Sequence, residues 1–232
     1  MRGRNRRSGF GVRTGIPLPF ESPGAVHRVE KWSKVSIAQI PMGQGVAVTR
    51  LQMVMAMSAI ANNGRLMRPF LVSRLEDRDG RVIAQYQPET VRQVVSEAAA
   101  QQMVKALKTV VTSEGTAPNA ALTDYTVAGK TGTAQKTIEG VAGYAKEKFI
   151  SSFIGFFPAD KPELCISIVM DEPKQGHYGG KTAAPVFRDF ATAAANYLNI
   201  RPDRTNAPLV GANPLAEARS IQTASAKPSR NP

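Results

Sequence analysis

An α/β chain of the α+β type, with helices packed on an antiparallel sheet of C-terminal strands, is the fold class predicted by three features of this 232-residue sequence. A nearly all-apolar helix is predicted from Arg50 to about Asn62. Three strands follow one another between Thr126 and Asp171. An amphipathic helix from about Ala183 to Leu198 closes the body. At 42% hydrophobic, a chain of this length can build one domain with a sizeable core.

Taken in order, residues 8–48 are rich in Gly, Pro and Ser and read as loops, with a short strand or helical turn near Val35–Ile40. Thr49 is a good N-cap for the first long helix. Leu51, Val54, Met55, Met57, Ala59 and Ile60 leave that helix almost no polar stripe, which predicts burial at the domain centre. Met42, Met53, Met55 and Met57 are read as packing residues, and Asn63-Gly64 as the stop. A hairpin is expected over residues 66–87, with arms Phe70 to Leu75 and Val82 to Tyr86 around a turn at Asp77-Arg78-Asp79-Gly80. Ser96 caps a second helix from Glu97 to about Thr112, with Met103, Val104, Leu107, Val110 and Val111 at helical spacing. The strands are Thr126 to Thr137, Lys148 to Phe157 and Glu163 to Asp171, with the loop Ile138 to Glu147 joining the first two. In the closing helix Val186, Phe187, Phe190, Ala194 and Tyr197 form the expected apolar face. The chain divides into a basic start (1–8), a folded body (9–199) and a Pro/Ala/Ser-rich tail (200–232) whose composition predicts disorder.

The formal charge of +12 is concentrated at the two ends. Residues 1–34 carry a net +6 and residues 201–232 a net +3, leaving +3 for the whole body between. No aromatic-studded basic strand suggests base stacking, so nucleic acid is not an expected partner. The single cysteine, Cys165, excludes an internal disulfide and lies in an apolar run, where it behaves as a small hydrophobe. His27 and His177 are far apart in sequence and unaccompanied by a carboxylate pattern, so neither metal nor cofactor is expected. His177 is read as shaping the loop before the last helix. No stretch of 18 or more apolar residues is present. The basic start has the charge of a signal-peptide n-region, but three glycines and two prolines between Ser8 and Pro19 exclude the apolar segment that should follow.

The most informative stretch is Val127-Ala128-Gly129-Lys130-Thr131-Gly132-Thr133-Ala134-Gln135-Lys136. On a strand, Lys130 and Gly132 share one face, and Thr131 and Thr133 share the other. Beside a cleft, an ammonium attracts a carboxylate and a hydroxyl bonds to it. Gly132 lets a ligand approach the backbone. Lys136, near the strand's far end, is expected to be exposed and to have little influence.

This run resembles the K-T-G motif of serine penicillin-binding proteins and β-lactamases. Gly43-Gln44-Gly45, Phe10-Gly11-Val12-Arg13-Thr14-Gly15, Phe149 to Pro158 and His177-Tyr178-Gly179-Gly180 through Phe187 are similar to segments of class B, division-type transpeptidases, and Thr116-Ala117 resembles that family's G-T-A turn. The resemblance implies the C-terminal part of a penicillin-binding-protein/β-lactamase-like transpeptidase fold. It implies substrate binding by Lys130, Thr131, Gly132 and Thr133, with the Thr133 backbone N–H as one oxyanion-hole donor. Peptidoglycan stem peptides and β-lactams are the implied ligands, and divisome membrane proteins are implied partners. The family's catalytic domain is extracytoplasmic, behind an inner-membrane anchor.

Two of the family's three motifs do not match. No serine has a lysine three positions on, and the single S-x-N, Ser229-Arg230-Asn231, falls after K-T-G. The nucleophile is therefore expected in a missing N-terminal half of the domain, and this chain alone is expected to be inactive. A non-catalytic remnant or cell-wall-peptide binding module is one alternative; a D,D-carboxypeptidase or β-lactamase-related protein is another.

Overall fold

The computed structural model describes residues 8–34, 36–137 and 143–204. In chain order its strands are β1 (Ala25–Val26), β2 (Val46–Ala47), β3 (Arg65–Met67), β4 (Arg74–Glu76), β5 (Val82–Gln85), β6 (Thr90–Gln93), β7 (Ala128–Thr137), β8 (Tyr144–Phe157) and β9 (Leu164–Asp171). The α-helices are α1 (Ser36–Gln39), α2 (Arg50–Ala61), α3 (Glu97–Thr109) and α4 (Ala183–Leu198).

The last three strands form one antiparallel sheet, ordered β7–β8–β9. Successive residues of β8 serve opposite faces. Phe153 and Phe157 pack with Phe187 and the alanines of α4, and the rings of Phe153 and Phe187 meet edge to face at 4.7 Å. On the other face Phe156 and Ala128 pack with Leu107 of α3, flanked by Met57 and Ile60 of α2. Among the described residues no strand pairs with the outer edge of β7 or of β9.

The packed side of α4 differs from the expected one. Ala183, Ala184, Phe187, Ala191 and Ala195 are buried, while Val186, Phe190 and Tyr197 are 42%, 57% and 85% exposed. Small residues let the helix axis approach the sheet, and the phenylalanines of β8 fill the space. Ranking positions by side-chain size therefore selects the wrong stripe.

Helix α2 begins as expected at Thr49, with a full capping box: Thr49 Oγ1 accepts from Gln52 N at 3.1 Å, and Gln52 Oε1 accepts from Thr49 N at 3.0 Å. It is not buried on all sides, since Met53 remains 37% exposed. Its most buried large residue is a polar one. Gln52 is 1% exposed, and its amide also donates to Val12 O at 2.7 Å and Pro23 O at 2.9 Å. The loops upstream of α2 are thereby tied to the helix start.

The turn at Asp77–Gly80 is present, with Asp77 Oδ1 accepting from Asp79 N and Arg81 N at 2.9 Å each. The hairpin is shorter than expected, pairing β4 with β5 only, and residues 70–73 are not strand. Pro69 opens that segment, which helps to keep it out of a ladder. A second pairing, β3 with β6, brackets the hairpin. Helix α3 stops at Thr109, short of Thr112, where Ala117 N bonds to Val110 O at 2.8 Å and turns the chain. Strand β8 starts at Tyr144, earlier than expected, and residues 138–142 of the anticipated loop lie outside the described residues.

Residues 200–204 are held against the body. Ile200 is buried and its carbonyl accepts from Tyr125 Oη at 2.7 Å. Asp203 accepts from Thr126 N at 2.7 Å and from Thr126 Oγ1. Burial, with the nearby Asp124, Glu163 and Asp203 carboxylates, pushes the Tyr125 phenol above its ordinary value. The remainder of the tail, like residues 1–7, lies outside the described residues. Burial raises the Cys165 thiol to about 11, partly offset by a hydrogen bond from Ser58, and the side chain packs against the cluster around Phe156.

Gln52→Leu tests the tie between helix and loops. It keeps the volume but orphans the carbonyls of Val12 and Pro23, and is expected to cost about 3 kcal/mol in urea unfolding. A loss below about 1 kcal/mol would show that those carbonyls find other partners.

Candidate functional site

Strand β7 brings all four sequence-predicted residues to the sheet's open edge. Register pairs Lys130 with Ile154, Thr131 with Phe153, Gly132 with Ser152 and Thr133 with Ser151. The alternation of faces holds for the backbone: a Cβ on Gly132 would meet Ser152 Oγ, whereas Thr133 Oγ1 accepts from Gly179 N at 3.3 Å on the α4 face. The lysine side chain breaks it. Lys130 Nζ curls around the open edge to donate to Thr131 O at 2.8 Å, and comes within 3.5 Å of Thr131 Oγ1. The ammonium and the hydroxyl, assigned to opposite faces by strand periodicity, thus meet.

Two segments outside the strand complete the arrangement. The turn after α3 presents Thr116, whose Oγ1 is 3.0 Å from Thr131 Oγ1. The connection from β9 to α4 folds over the sheet, with Ser151 Oγ donating to His177 O and the His177 ring stacked on Phe149 at 4.2 Å. His177 thus shapes this loop, as expected. Gly179 and Gly180 let the loop settle: a Cβ on Gly179 would strike the carbonyl oxygens of Ser152 and Gly132, and one on Gly180 the carbonyl oxygen of Thr116. Asn119 Nδ2 then donates to Gly180 O at 3.2 Å.

Lys136 does not match its expected isolation. Its ammonium donates to Asp171 Oδ1 at 2.9 Å and Glu172 Oε1 at 2.7 Å, which pins the start of the same loop. The hydrogen bond from Lys136 holds the Glu172 carboxyl below its ordinary 4.5, and Glu172, then Asp171, hold the lysine above its ordinary 10.5. Sequence reasoning marked the segments containing Thr116, Ser151, Gly179 and Gly180 but gave these residues no role. Their contacts depend on the crossing of elements some 15 to 65 residues apart, which periodicity does not reveal.

An antiparallel sheet with helices on each face, carrying an ammonium and hydroxyls at its open edge, is shared with solved transpeptidase domains of penicillin-binding proteins, which places the chain in the penicillin-binding-protein/β-lactamase-like fold. Residues 1–192 match the family model of the penicillin binding protein transpeptidase domain, and the chain belongs to that family. It is 38% identical over 196 residues to stage V sporulation protein D of Bacillus subtilis, covering 84% of this chain and 30% of that protein. It is 33% identical over 198 residues to the probable peptidoglycan D,D-transpeptidase PbpC of Pseudomonas aeruginosa, covering 85% of this chain and 33% of that one. Among solved structures, penicillin binding protein 3 from Mycobacterium tuberculosis, complexed with ampicillin, superimposes with a TM-score of 0.79 at 35% identity, covering 89% of this chain and 48% of that chain. This chain therefore spans about a third of the length of those two curated relatives.

Two results are expected from the geometry. Gly180→Ala should lower the melting temperature sharply or prevent folding, because a carbonyl oxygen cannot rotate away from the added methyl; Gly132→Ala should be tolerated, because Ser152 Oγ can. Equal losses for the two would contradict this packing. For Lys136→Met, the gap in melting temperature from the parent should be widest between about pH 5 and 10. Glu172, with a depressed value, contributes above 4.5 and loses its contribution as pH falls through its folded value. Lys136, with a raised value, contributes below 10.5 and loses its contribution as pH rises through its folded value. A gap that stayed constant to pH 3 would show that the ion pairs do not hold the loop.

Proposed function

We propose that this chain supplies the substrate-binding strand of a serine-type peptidoglycan D,D-transpeptidase, with the nucleophile coming from a part of the domain that carries S-x-x-K and S-x-N. The observation that carries the reading is the meeting of Lys130 Nζ with the Thr131 hydroxyl at an unpaired strand edge. In the reaction, a serine Oγ bonds to the penultimate D-alanine carbonyl carbon of a stem peptide. The C–N bond breaks and D-alanine leaves as the amine, taking a proton. The amine of a neighbouring stem then displaces the serine. β-Lactams stop at the acyl-enzyme.

Lys130 contributes positive potential toward the substrate carboxylate, and Thr131 and Thr133 contribute hydroxyls. Thr131 O faces the open edge, where Lys130 reaches it. Ladder alternation gives Thr133, two residues on, the same backbone orientation, which suits its N–H to the oxyanion hole. An extended stem peptide adds to this edge as a further strand. The opposite edge belongs to β9, which is uncharged from Leu164 to Met170 and offers the remainder of the domain a place to continue the sheet. Stem peptides lie outside the cytoplasmic membrane, so the domain works on that side. Among the described residues no helix is long and apolar enough to cross a membrane. Divisome membrane proteins are its natural partners.

The test is reconstitution. The 232-residue chain alone should take up no denaturation-resistant fluorescent penicillin. Co-expressed with an upstream half from a related transpeptidase, it should acylate, and Lys130→Ala should slow acylation by about 10²-fold. Stoichiometric labelling of the isolated chain, or a reconstituted pair indifferent to Lys130→Ala, would overturn the assignment.

A further inference from the structure

Of the three hydroxyls gathered here, Thr116 is the one that lies outside the motif strand, and its position is fixed by backbone. Gly115 N bonds to Thr112 O at 3.0 Å and Ala117 N to Val110 O at 2.8 Å, while the Thr116 carbonyl is pressed against Gly180. A threonine hydroxyl has one proton to donate and two lone pairs to accept with. Thr131 Oγ1 has Lys130 Nζ at 3.5 Å and Thr116 Oγ1 at 3.0 Å. When Thr116 donates, both neighbours supply hydrogens to Thr131, whose own proton then points away from both and is left for a ligand. Thr133 is treated alike, because Gly179 N–H occupies a lone pair of its oxygen at 3.3 Å.

We infer that Thr116 is a positioning residue for carboxylate recognition. With the Gly179 amide as its counterpart, it turns the hydroxyls of Thr131 and Thr133 into donors beside Lys130. The carboxylate cradle is thus assembled within this chain before any nucleophile is present. The inference rests on the transpeptidase reading for its ligand class, a peptide ending in a free D-alanine carboxylate. The alternative, in which Thr131 donates to Thr116, leaves Thr131 without a proton for the ligand and gives way once an anion enters.

The probe is N-acetyl-D-alanyl-D-alanine, compared with its C-terminal amide, titrated into the full chain and followed by the backbone amide signals of residues 131–133 and 179–180. The acid should shift these signals and the amide should bind more weakly. Thr116→Val should raise the dissociation constant for the acid by about fivefold and leave that for the amide unchanged, whereas Thr116→Ser should stay within about twofold of the parent. A valine that merely disturbed packing would weaken both ligands alike, and Thr116→Ser would not rescue. Equal weakening, an unaffected acid, or no acid-dependent shift in the parent would each overturn the inference. The transpeptidase reading fails separately: if Thr116 controls acid binding but the reconstituted pair never acylates, the cradle stands and the reaction does not.

Discussion

The peptide around Gly179 and Gly180 touches three other stretches of backbone at once: the carbonyls of Ser152 on β8, Gly132 on β7 and Thr116 at the turn after α3. No side chain fits between surfaces that close, so the loop, the motif strand and the turn share one van der Waals boundary. Helix α4 grows directly from this point, its first turn secured as Ala183 N and Ala184 N donate to Gly179 O at 3.0 and 2.9 Å. The closing helix and the hydroxyl cluster are therefore set by the same two residues. A shift of the helix along the sheet would move Gly179 N away from Thr133 and the Thr116 carbonyl away from Gly180 together.

The sheet converts that boundary into a directional site. Its two faces are buried by different means, aromatic rings against alanines on the α4 side and a smaller cluster around Phe156 on the other. With both faces occupied, the sheet's open backbone lies along its outer edges, and at that of β7 the Thr116 and Thr131 hydroxyls and the curled lysine gather. The far end of the same strand is clamped by Lys136 to Asp171 and Glu172. The two lysines of the motif run thus work at opposite ends, one toward the open edge and one inward to the loop.

Much of this was legible beforehand. The bounds of α4, the cap of α2 at Thr49, the turn at Asp77–Gly80 and the three long strands are local features, written in side-chain spacing and turn chemistry. That the four motif residues share one strand was legible from the run itself, and the resemblance rested on that run together with the segments around it. What stayed hidden was non-local. The alanine face of α4 wins over its larger residues only because β8 supplies phenylalanines to meet it. Nothing local marks Gln52 for burial, and its partners Val12 and Pro23 lie 40 and 29 residues upstream. The pairing of β3 with β6 spans a whole hairpin. Thr116 and Lys136 meet partners that strand periodicity cannot supply, and Lys130 reaches Thr131 only by bending around an edge that an ideal strand pattern ignores.

The clasp of Asp203 on Thr126 places the last described residues at the root of the motif strand. Thr126 precedes Lys130 by four residues, a distance along an extended chain of about 13 Å. A dye attached at Arg204 would thus lie within energy-transfer range of the β7 edge. The fold offers its own attachment point for an optical ruler aimed at the site, one that moves with the strand it measures.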